Sequence, residues 1–209
     1  AVANMQQSAG NGSLPVISAF SPTDKQVIYQ DAVVVKGTVS NGHKVYINNS
    51  QVPLVNGFFN SKINLKYGKN MIVIKAFNES GKYTRIERKV LRLKKFSDLS
   101  SDDPHTKTIA AMATIGVISG DKSGKFNPAQ KITRVEYASM INKVYGYSAN
   151  PPQKSPFKDL AAGHWGYKNA YALHKNNFLK AENGLYKPND SMSRAFGIVV
   201  LARTEKLNI

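Results

Sequence analysis

The pattern of hydrophobic and polar residues changes near residue 95, which divides the chain into two parts. Before this point, glycine- and asparagine-containing turns separate short runs that are rich in β-branched residues or alternate between apolar and polar positions. Such runs are typical of half-buried strands, and their spacing is typical of a β-sandwich. The runs that predict strands are 14–20, 31–39, 44–48, 58–65, 70–78 and 83–91.

After residue 95 the apolar residues follow helical spacing. Val135, Ala138 and Ile141 recur at three- and four-residue steps, which places them on one face of a helix. Thr133 and Glu136 have the spacing of a capping box, so the helix is predicted to begin at residue 134. A second helix is predicted to follow Ser193 as its cap, although Phe196 replaces the glutamate of the box.

Both predicted helices begin with an arginine, Arg134 and Arg194. A cation at this end opposes the helix dipole and costs about 0.3 to 1 kcal/mol when exposed. Two explanations remain open. The arginines form internal bridges to Asp98 or Asp159, or each guanidinium binds the carboxylate of a ligand through two parallel hydrogen bonds.

The arginines belong to a longer internal repeat. Phe-Ser-Asp-Leu at 96–99 returns as Phe-Lys-Asp-Leu at 157–160, and Gly-Lys-Phe-Asn-Pro at 124–128 returns as Gly-Leu-Tyr-Lys-Pro at 184–188. A fixed period of about 60 residues indicates repeated units that pack against each other. We therefore divide the C-terminal part into repeat 1, residues 96–150, and repeat 2, residues 151–209.

These residues resemble the S-layer homology family. The resemblance rests on Phe-x-Asp, on His-Trp at 164–165, on Gly-Val-Ile-Ser-Gly at 116–120 and on Ile-Thr-Arg-Val-Glu at 132–136. It implies an all-α domain of helical repeats that attaches envelope proteins, without a covalent bond, to cell-wall polysaccharide that is commonly acidic and pyruvylated. The family typically has three copies in a three-pronged bundle, whereas two are visible here.

The two copies depart from the family pattern at different places. In repeat 1, Asp103 and Pro104 replace His-Trp. In repeat 2, the turn at 177–183 is one residue short, and Phe196 stands in place of the glutamate.

The strands before residue 95 resemble a bacterial immunoglobulin-like module. The resemblance covers residues 14–95 and implies a spacer or adhesive domain. The fold alone assigns no activity. Residues 1–13 are small and polar, and we expect a flexible N-terminal segment there. The expected fold class is α+β by domains, with an immunoglobulin-like β-sandwich followed by an all-α S-layer-homology-like domain.

The formal net charge of +16 predicts attraction to polyanions. Specific nucleic-acid binding is not expected, because no recognition motif accompanies the charge. The absence of cysteine excludes disulfides and thiolate zinc sites, and no apolar run is long enough to span a membrane. The chain carries no recognisable secretory signal, although its first three residues could be the end of a cleavage site.

No catalytic, metal or cofactor site is predicted. The four histidines lack metal-ligand spacing, and the loop at 121–124 lacks the acidic residues of a calcium site. Asp102 and Asp103 are adjacent and precede a proline, a position that more often caps a helix than performs acid–base chemistry.

The sequence therefore predicts a non-catalytic protein of the cell surface that binds acidic cell-wall polysaccharide, with the β-sandwich as spacer or adhesive module. The alternative is a structural protein whose repeats mediate self-assembly or protein partnering. Trp165 either packs between repeats or stacks on a sugar. The predicted polysaccharide-binding residues are Asp98, Ser119, Gly120, Arg134, Asp159, Trp165 and Arg194, and the predicted helix-capping residues are Thr133, Glu136 and Ser193.

Overall fold

The computed structural model describes residues 4–6 and 12–206. The chain forms two compact units. The first contains Ala1–Lys95 together with Pro104–Ile115, and the second contains Phe96–Asp103 together with Gly116–Ile209. The first helical segment of repeat 1 thus belongs to the N-terminal unit. The domain boundaries drawn from the sequence stay predictions.

Among the described residues, the N-terminal unit contains ten strands in two sheets. The strands are β1 (Asn4–Gln6), β2 (Val16–Ser21), β3 (Gln26–Ile28), β4 (Ala32–Ser40), β5 (Lys44–Ile47), β6 (Ser50–Val52), β7 (Leu54–Val55), β8 (Phe58–Asn64), β9 (Gly68–Phe77) and β10 (Tyr83–Arg92). One sheet has the order β1-β10-β9-β5-β6, with β3 pairing in parallel to β10, and the other has the order β2-β4-β8-β7.

Alternating burial along the strands places one face of each sheet in a shared core. Val35, Val45, Ile47 and Ile74 are fully buried there. A Cβ on Gly37 would lie 2.3 Å from the carbonyl oxygen of Ser18, so this central strand needs glycine at the close approach. The predicted immunoglobulin-like β domain is thus present.

The hairpin between β7 and β8 shows how the turn residues determine register. Asn56 and Gly57 have φ angles of 50° and 78°, the left-handed conformation that two-residue hairpin turns require. Val55 and Phe58 are therefore direct cross-strand partners.

The flexible segment expected at 1–13 stays a prediction, although its described residues contact the β domain. Asn4–Gln6 form β1 and pair antiparallel with β10. The Ser13 carbonyl accepts a hydrogen bond from Asn78 Nδ2 at 2.9 Å. Residues 1–3 and 7–11 lie outside the described residues, so the expectation for them stays a prediction.

The all-α expectation for the C-terminal domain is wrong. Four helices of nine to twelve residues are present among the described residues: α1 (Thr106–Thr114), α2 (Arg134–Tyr145), α3 (Tyr167–Lys175) and α4 (Arg194–Thr204). The segments between them are loops with isolated β-bridges, for example Thr133 with Ser191 and Glu182 with Leu185. These segments contain left-handed residues such as Asn127 and Gly184, which interrupt helical geometry. The chain as a whole is mostly β.

The C-terminal unit packs helices α2, α3 and α4 around one hydrophobic core. Ala138, Leu173, Tyr186 and Val200 are fully buried in it and come from the helices and from the loop before α4. Asn142 Nδ2 donates to Asn169 Oδ1 at 2.7 Å, which fixes the position of α2 against α3. Within the described part of the chain, no helix is long and apolar enough to cross a membrane.

Candidate functional site: a groove beside Trp165

Asp98 and Asp159 hold loops of the protein through hydrogen bonds, and their predicted binding of polysaccharide stays a prediction. The carboxylate of Asp98 accepts hydrogen bonds from the backbone N–H groups of Phe126 and Asn127 at 2.8 and 2.7 Å. Asp159 does the same with Tyr186 and Lys187, at 2.8 and 2.7 Å. The repeated Phe-x-Asp and Gly-x-(Phe/Tyr)-x-Pro motifs are thus the two halves of one structural contact.

The contact favours the ionised carboxylate. The hydrogen bond from the Phe126 amide is the main cause that holds the pKa of Asp98 below its ordinary value, with the Asn127 amide adding to it. Both oxygens of this carboxylate already accept backbone hydrogens, which leaves limited capacity for a sugar hydroxyl.

Arg134 is also engaged within the protein. Its Nε donates to the carbonyl oxygen of Tyr186 at 2.8 Å, and its Nη2 donates to the carbonyl oxygen of Lys180 at 3.2 Å. The guanidinium carbon lies 4.9 Å from the ring centroid of Phe196 and 5.5 Å from that of Tyr186. The proposed bridge to Asp98 or Asp159 is absent from the described residues, because carbonyl oxygens are the acceptors instead.

Arg194, at the same position in repeat 2, is in a different situation. Its side chain is exposed and makes no hydrogen bond or ion pair with a described residue. Ile198 and Leu201 lie on the same face of α4 and are 59% and 40% exposed. Their counterparts on α2, Ala138 and Ile141, are 0% and 5% exposed. The face that α2 buries in the core is therefore open on α4.

The capping residues fix where α2 and α4 begin. The Thr133 hydroxyl accepts from the Glu136 N–H, and the Glu136 carboxylate accepts from the Thr133 N–H at 2.8 Å. In α4, the Ser193 hydroxyl accepts from the Phe196 N–H at 3.1 Å. Both arginines are consequently the first residues of their helices.

A groove of about 490 Å³ lies beside α2 in the C-terminal unit, and we call it the Trp165 groove. It brings together three predicted residues, Ser119, Gly120 and Trp165, and excludes the four charged ones, Asp98, Arg134, Asp159 and Arg194. The full lining is Val117, Ile118, Ser119, Gly120, Asp121, Phe126, Asn127, Pro128, Gln130, Lys131, Ile132, Glu136, Ser139, Met140, Lys143 and Trp165.

Trp165 and Ser119 are accessible from the groove, whereas Gly120 has a packing role. The indole is 62% exposed, so Trp165 does not serve mainly as a buried packing residue within this unit. Ser119 is exposed and makes no hydrogen bond with any described residue. A Cβ on Gly120 would lie 2.5 Å from the Lys125 carbonyl oxygen and from the Phe96 ring, so glycine is needed there for packing.

The groove contains two carboxylates, Asp121 and Glu136, and two lysines, Lys131 and Lys143, so its formal charges balance. Asp121 accepts from Ser123, Lys125 and Asn127, and the Ser123 hydroxyl is the main cause that holds the pKa of Asp121 far below its ordinary value. Glu136 is engaged by Thr133. Lys131 and Lys143 are exposed and form no ion pair with a described residue. An anion in the groove would therefore meet two free ammonium groups.

Sequence reasoning did not identify Lys131 and Lys143. The signal was available on α2, because Glu136, Ser139, Met140 and Lys143 follow helical spacing and line one side of the groove. Among the described residues there is no group of three or more side chains suited to hold a metal ion.

Two sequence families match the chain. The S-layer homology domain matches residues 95–138 and 156–195. Glucodextranase, domain B, matches residues 15–92, which covers the β-sandwich.

Curated relatives share only part of their length with this chain. An uncharacterized cell wall amidase of Bacillus anthracis is 39% identical over 99 residues, 46% of this chain and 18% of the relative. An S-layer protein of the same organism is 35% identical over 103 residues, 48% of this chain and 12% of the relative. A cellulosome-anchoring protein of Acetivibrio thermocellus is 34% identical over 95 residues, 43% of this chain and 21% of the relative.

These matches agree with the repeated Phe-x-Asp and Thr-Arg motifs and with the two-sheet fold of the N-terminal unit. The chain therefore carries two S-layer homology repeats preceded by an immunoglobulin-like β domain of the type found as domain B of glucodextranase.

Proposed function

We propose that this protein is a non-catalytic anchor at the cell surface that binds acidic polysaccharide of the cell wall in the Trp165 groove. The observation that carries the proposal is the combination of an exposed indole with two unpaired lysines in one groove. A sugar ring presents an apolar face that packs on an indole, while its acidic substituent requires a cation.

The groove offers each part of such a ligand a partner. Trp165 provides the flat apolar surface, and Lys131 and Lys143 provide charge-assisted hydrogen bonds to a carboxylate such as that of a pyruvyl group. Ser119 and Gln130 line the same groove with polar groups that match sugar hydroxyls. Asp121 and Glu136 form no ion pair with Lys131 or Lys143, so both ammonium groups can donate hydrogen bonds to a ligand.

The relatives support anchoring rather than catalysis. Their names include an S-layer protein and a cellulosome-anchoring protein, alongside an amidase and an endoglucanase. Proteins with such different names share a segment that is at most about a fifth of their length. A common attachment module explains this distribution better than a common reaction. In this account the location is the outside of the cell, with the β domain as a spacer or adhesive module.

A binding assay on purified cell-wall sacculi tests the proposal. The chain should sediment with intact sacculi and remain in solution when the secondary wall polysaccharide has been removed. The Trp165→Ala variant should lose most of the bound fraction, while Tyr29→Ala, an exchange in the β domain, should retain it. Equal binding to stripped sacculi would contradict the proposal.

A second candidate function is self-assembly, favoured by the open face of α4. On α2, this face packs against repeat 2 and is formed by Arg134, Ala138 and Ile141. The same positions on α4 are Arg194, Ile198 and Leu201, which are exposed. We propose that this α4 face docks on repeat 1 of a second copy, whose loop around Phe126 is the counterpart of the Tyr186 loop. Such head-to-tail contacts produce open assemblies unless the rotation closes.

A further inference from the structure

On the outer face of the larger sheet, two aromatic residues and two lysines alternate across strands β5 and β9. Lys44 is the cross-strand partner of Phe77, and Tyr46 is the partner of Lys75. Residues two apart on a strand point to the same face, so all four side chains share the outer surface of β5 and β9. The aromatic residues occupy one diagonal and the lysines the other. We call these four residues the Tyr46–Phe77 patch.

The patch borders a groove of about 640 Å³. Besides the patch, the lining consists of His43, Asn49, Asn78, Glu79 and Gly81. The rings of Tyr46 and Phe77 meet edge to face with centroids 5.5 Å apart, and the next ring, Tyr83, lies 5.2 Å from Phe77. The aromatic surface is thus partly exposed and held in place by ring contacts.

Protection of a sheet edge does not explain Lys75. Lysine commonly blocks edge-to-edge pairing on outer strands. However, Lys75 lies on β9, which pairs with β5 on one side and with β10 on the other, whereas β6 covers β5 only from Val45 to Ile47. Neither Lys44 nor Lys75 forms an ion pair with a described residue, whereas the nearby Arg85 is paired with Glu87. Two lysines without an ion pair therefore lie beside aromatic rings on the outer face of the sheet.

From this arrangement we infer that the Tyr46–Phe77 patch is a second binding site, for carboxylate-bearing sugars. A pyranose ring packs its apolar face on Tyr46 or Phe77, and its carboxylate lies within reach of the lysine on the other diagonal. Asn49 adds an amide for hydroxyl groups. Glu79 reduces the positive potential at one side of the groove and orients the acidic group toward Lys44 and Lys75.

The site stands independently of the Trp165 groove. If both bind the same acidic polymer, two weak sites on one chain increase the overall affinity through effective concentration, without any further contact. If the Trp165 groove does not bind polysaccharide, the patch remains a sugar site of the β domain.

Calorimetry on the full-length chain tests the inference with an oligosaccharide of galacturonic acid as the probe. Lys44→Gln combined with Lys75→Gln should weaken binding about fivefold or more, because it removes the charge-assisted contacts. Lys36→Gln combined with Lys62→Gln, on the other sheet, removes the same charge and should change binding less than about twofold. Equal losses in the two double variants would overturn the inference.

Two further ligands separate sugar recognition from charge alone. A neutral oligosaccharide of galactose should bind more weakly than the acidic probe, and polyphosphate should respond equally to both lysine double variants. A selective loss of polyphosphate binding in the patch variant would instead indicate a general anion site and contradict the sugar assignment. Repeating the titrations with Trp165→Ala present should leave the patch effect unchanged, which distinguishes the two sites.

Discussion

Arg134 donates a hydrogen bond from its Nε to the carbonyl oxygen of Tyr186 at 2.8 Å, which joins the first residue of α2 to the loop of the following repeat. The arginine thus has an internal role that offsets its unfavourable position at the positive end of the helix dipole. Arg194, its counterpart, lacks such an acceptor among the described residues. The same motif therefore serves packing in one copy and stays available in the other.

This difference predicts that two equivalent substitutions affect stability to different extents. Arg134→Ala should lower the free energy of unfolding by about 2 kcal/mol, because it removes charged hydrogen bonds and contacts with two aromatic rings. Arg194→Ala should change it by less than about 0.5 kcal/mol. Urea unfolding followed by fluorescence of Trp165, the single tryptophan, measures both. Equal effects of the two substitutions would contradict the packing role of Arg134.

The aspartate contacts predict local loosening of one loop at a time. Asp98→Asn should speed hydrogen exchange of the backbone N–H groups of Phe126 and Asn127 by about tenfold. The asparagine side chain is neutral and has one acceptor oxygen, whereas the carboxylate accepts with both of its charged oxygens. Asp159→Asn should act only on the Tyr186 and Lys187 amides. Exchange measured by NMR provides the test, with each variant as the control for the other. Unchanged exchange in both would show that the carboxylates do not hold these loops.

His174 predicts a dependence of stability on pH. Its Nδ1 accepts from the Ala181 N–H at 3.1 Å, and burial, with a smaller effect of Lys180, holds the pKa of His174 below its ordinary value of 6.5. As the pH falls below about 6.5, the unfolded chain takes up the proton first, so the folded state loses stability until the lower folded pKa is reached.

Melting temperatures at pH 7.5 and 5.5 measure this effect. The decrease between the two pH values should be smaller for His174→Gln, whose amide oxygen can still accept from Ala181. An identical decrease in both proteins would assign the pH dependence to other groups.

The open face of α4 predicts concentration-dependent association. Ile198→Lys combined with Leu201→Lys should reduce association, because it places charge on the apolar part of the face. Val144→Lys on α2, an exposed apolar position outside that face, is the control. Light scattering of the full-length chain over a concentration series measures the mass. A wild-type monomer at all concentrations would rule out assembly through this face.

The sequence predicted the repeats and the starts of α2 and α4, because caps and helical spacing are local signals. It assigned the aspartates to a ligand, although their partners are backbone amides almost thirty residues away, and no local pattern shows such a contact. Helical periodicity identifies helices but does not show how loops with left-handed residues fill the space between them, so the domain was expected to be all-α.

The groove itself was predicted only in part. Ser119 and Trp165 were predicted from the resemblance. Lys131, in the loop before α2, and Lys143, on α2, were not predicted, and the fold brings both to the same groove. Whether a lysine in a groove forms an ion pair depends on which side chains the fold places beside it. Charge counts along the sequence do not contain that information.

The affinity for purified acidic wall polysaccharide, measured before and after chemical removal of its acidic substituent, tests the central claim most directly. The wild-type chain should bind the intact polymer about tenfold or more tightly than the neutral one, and Lys131→Gln combined with Lys143→Gln should abolish that difference. Lys154→Gln combined with Lys168→Gln, at exposed positions outside the groove, should preserve it. Equal affinity of the wild-type chain for both polymers, or equal losses in the two double variants, would contradict recognition of the acidic group in the Trp165 groove.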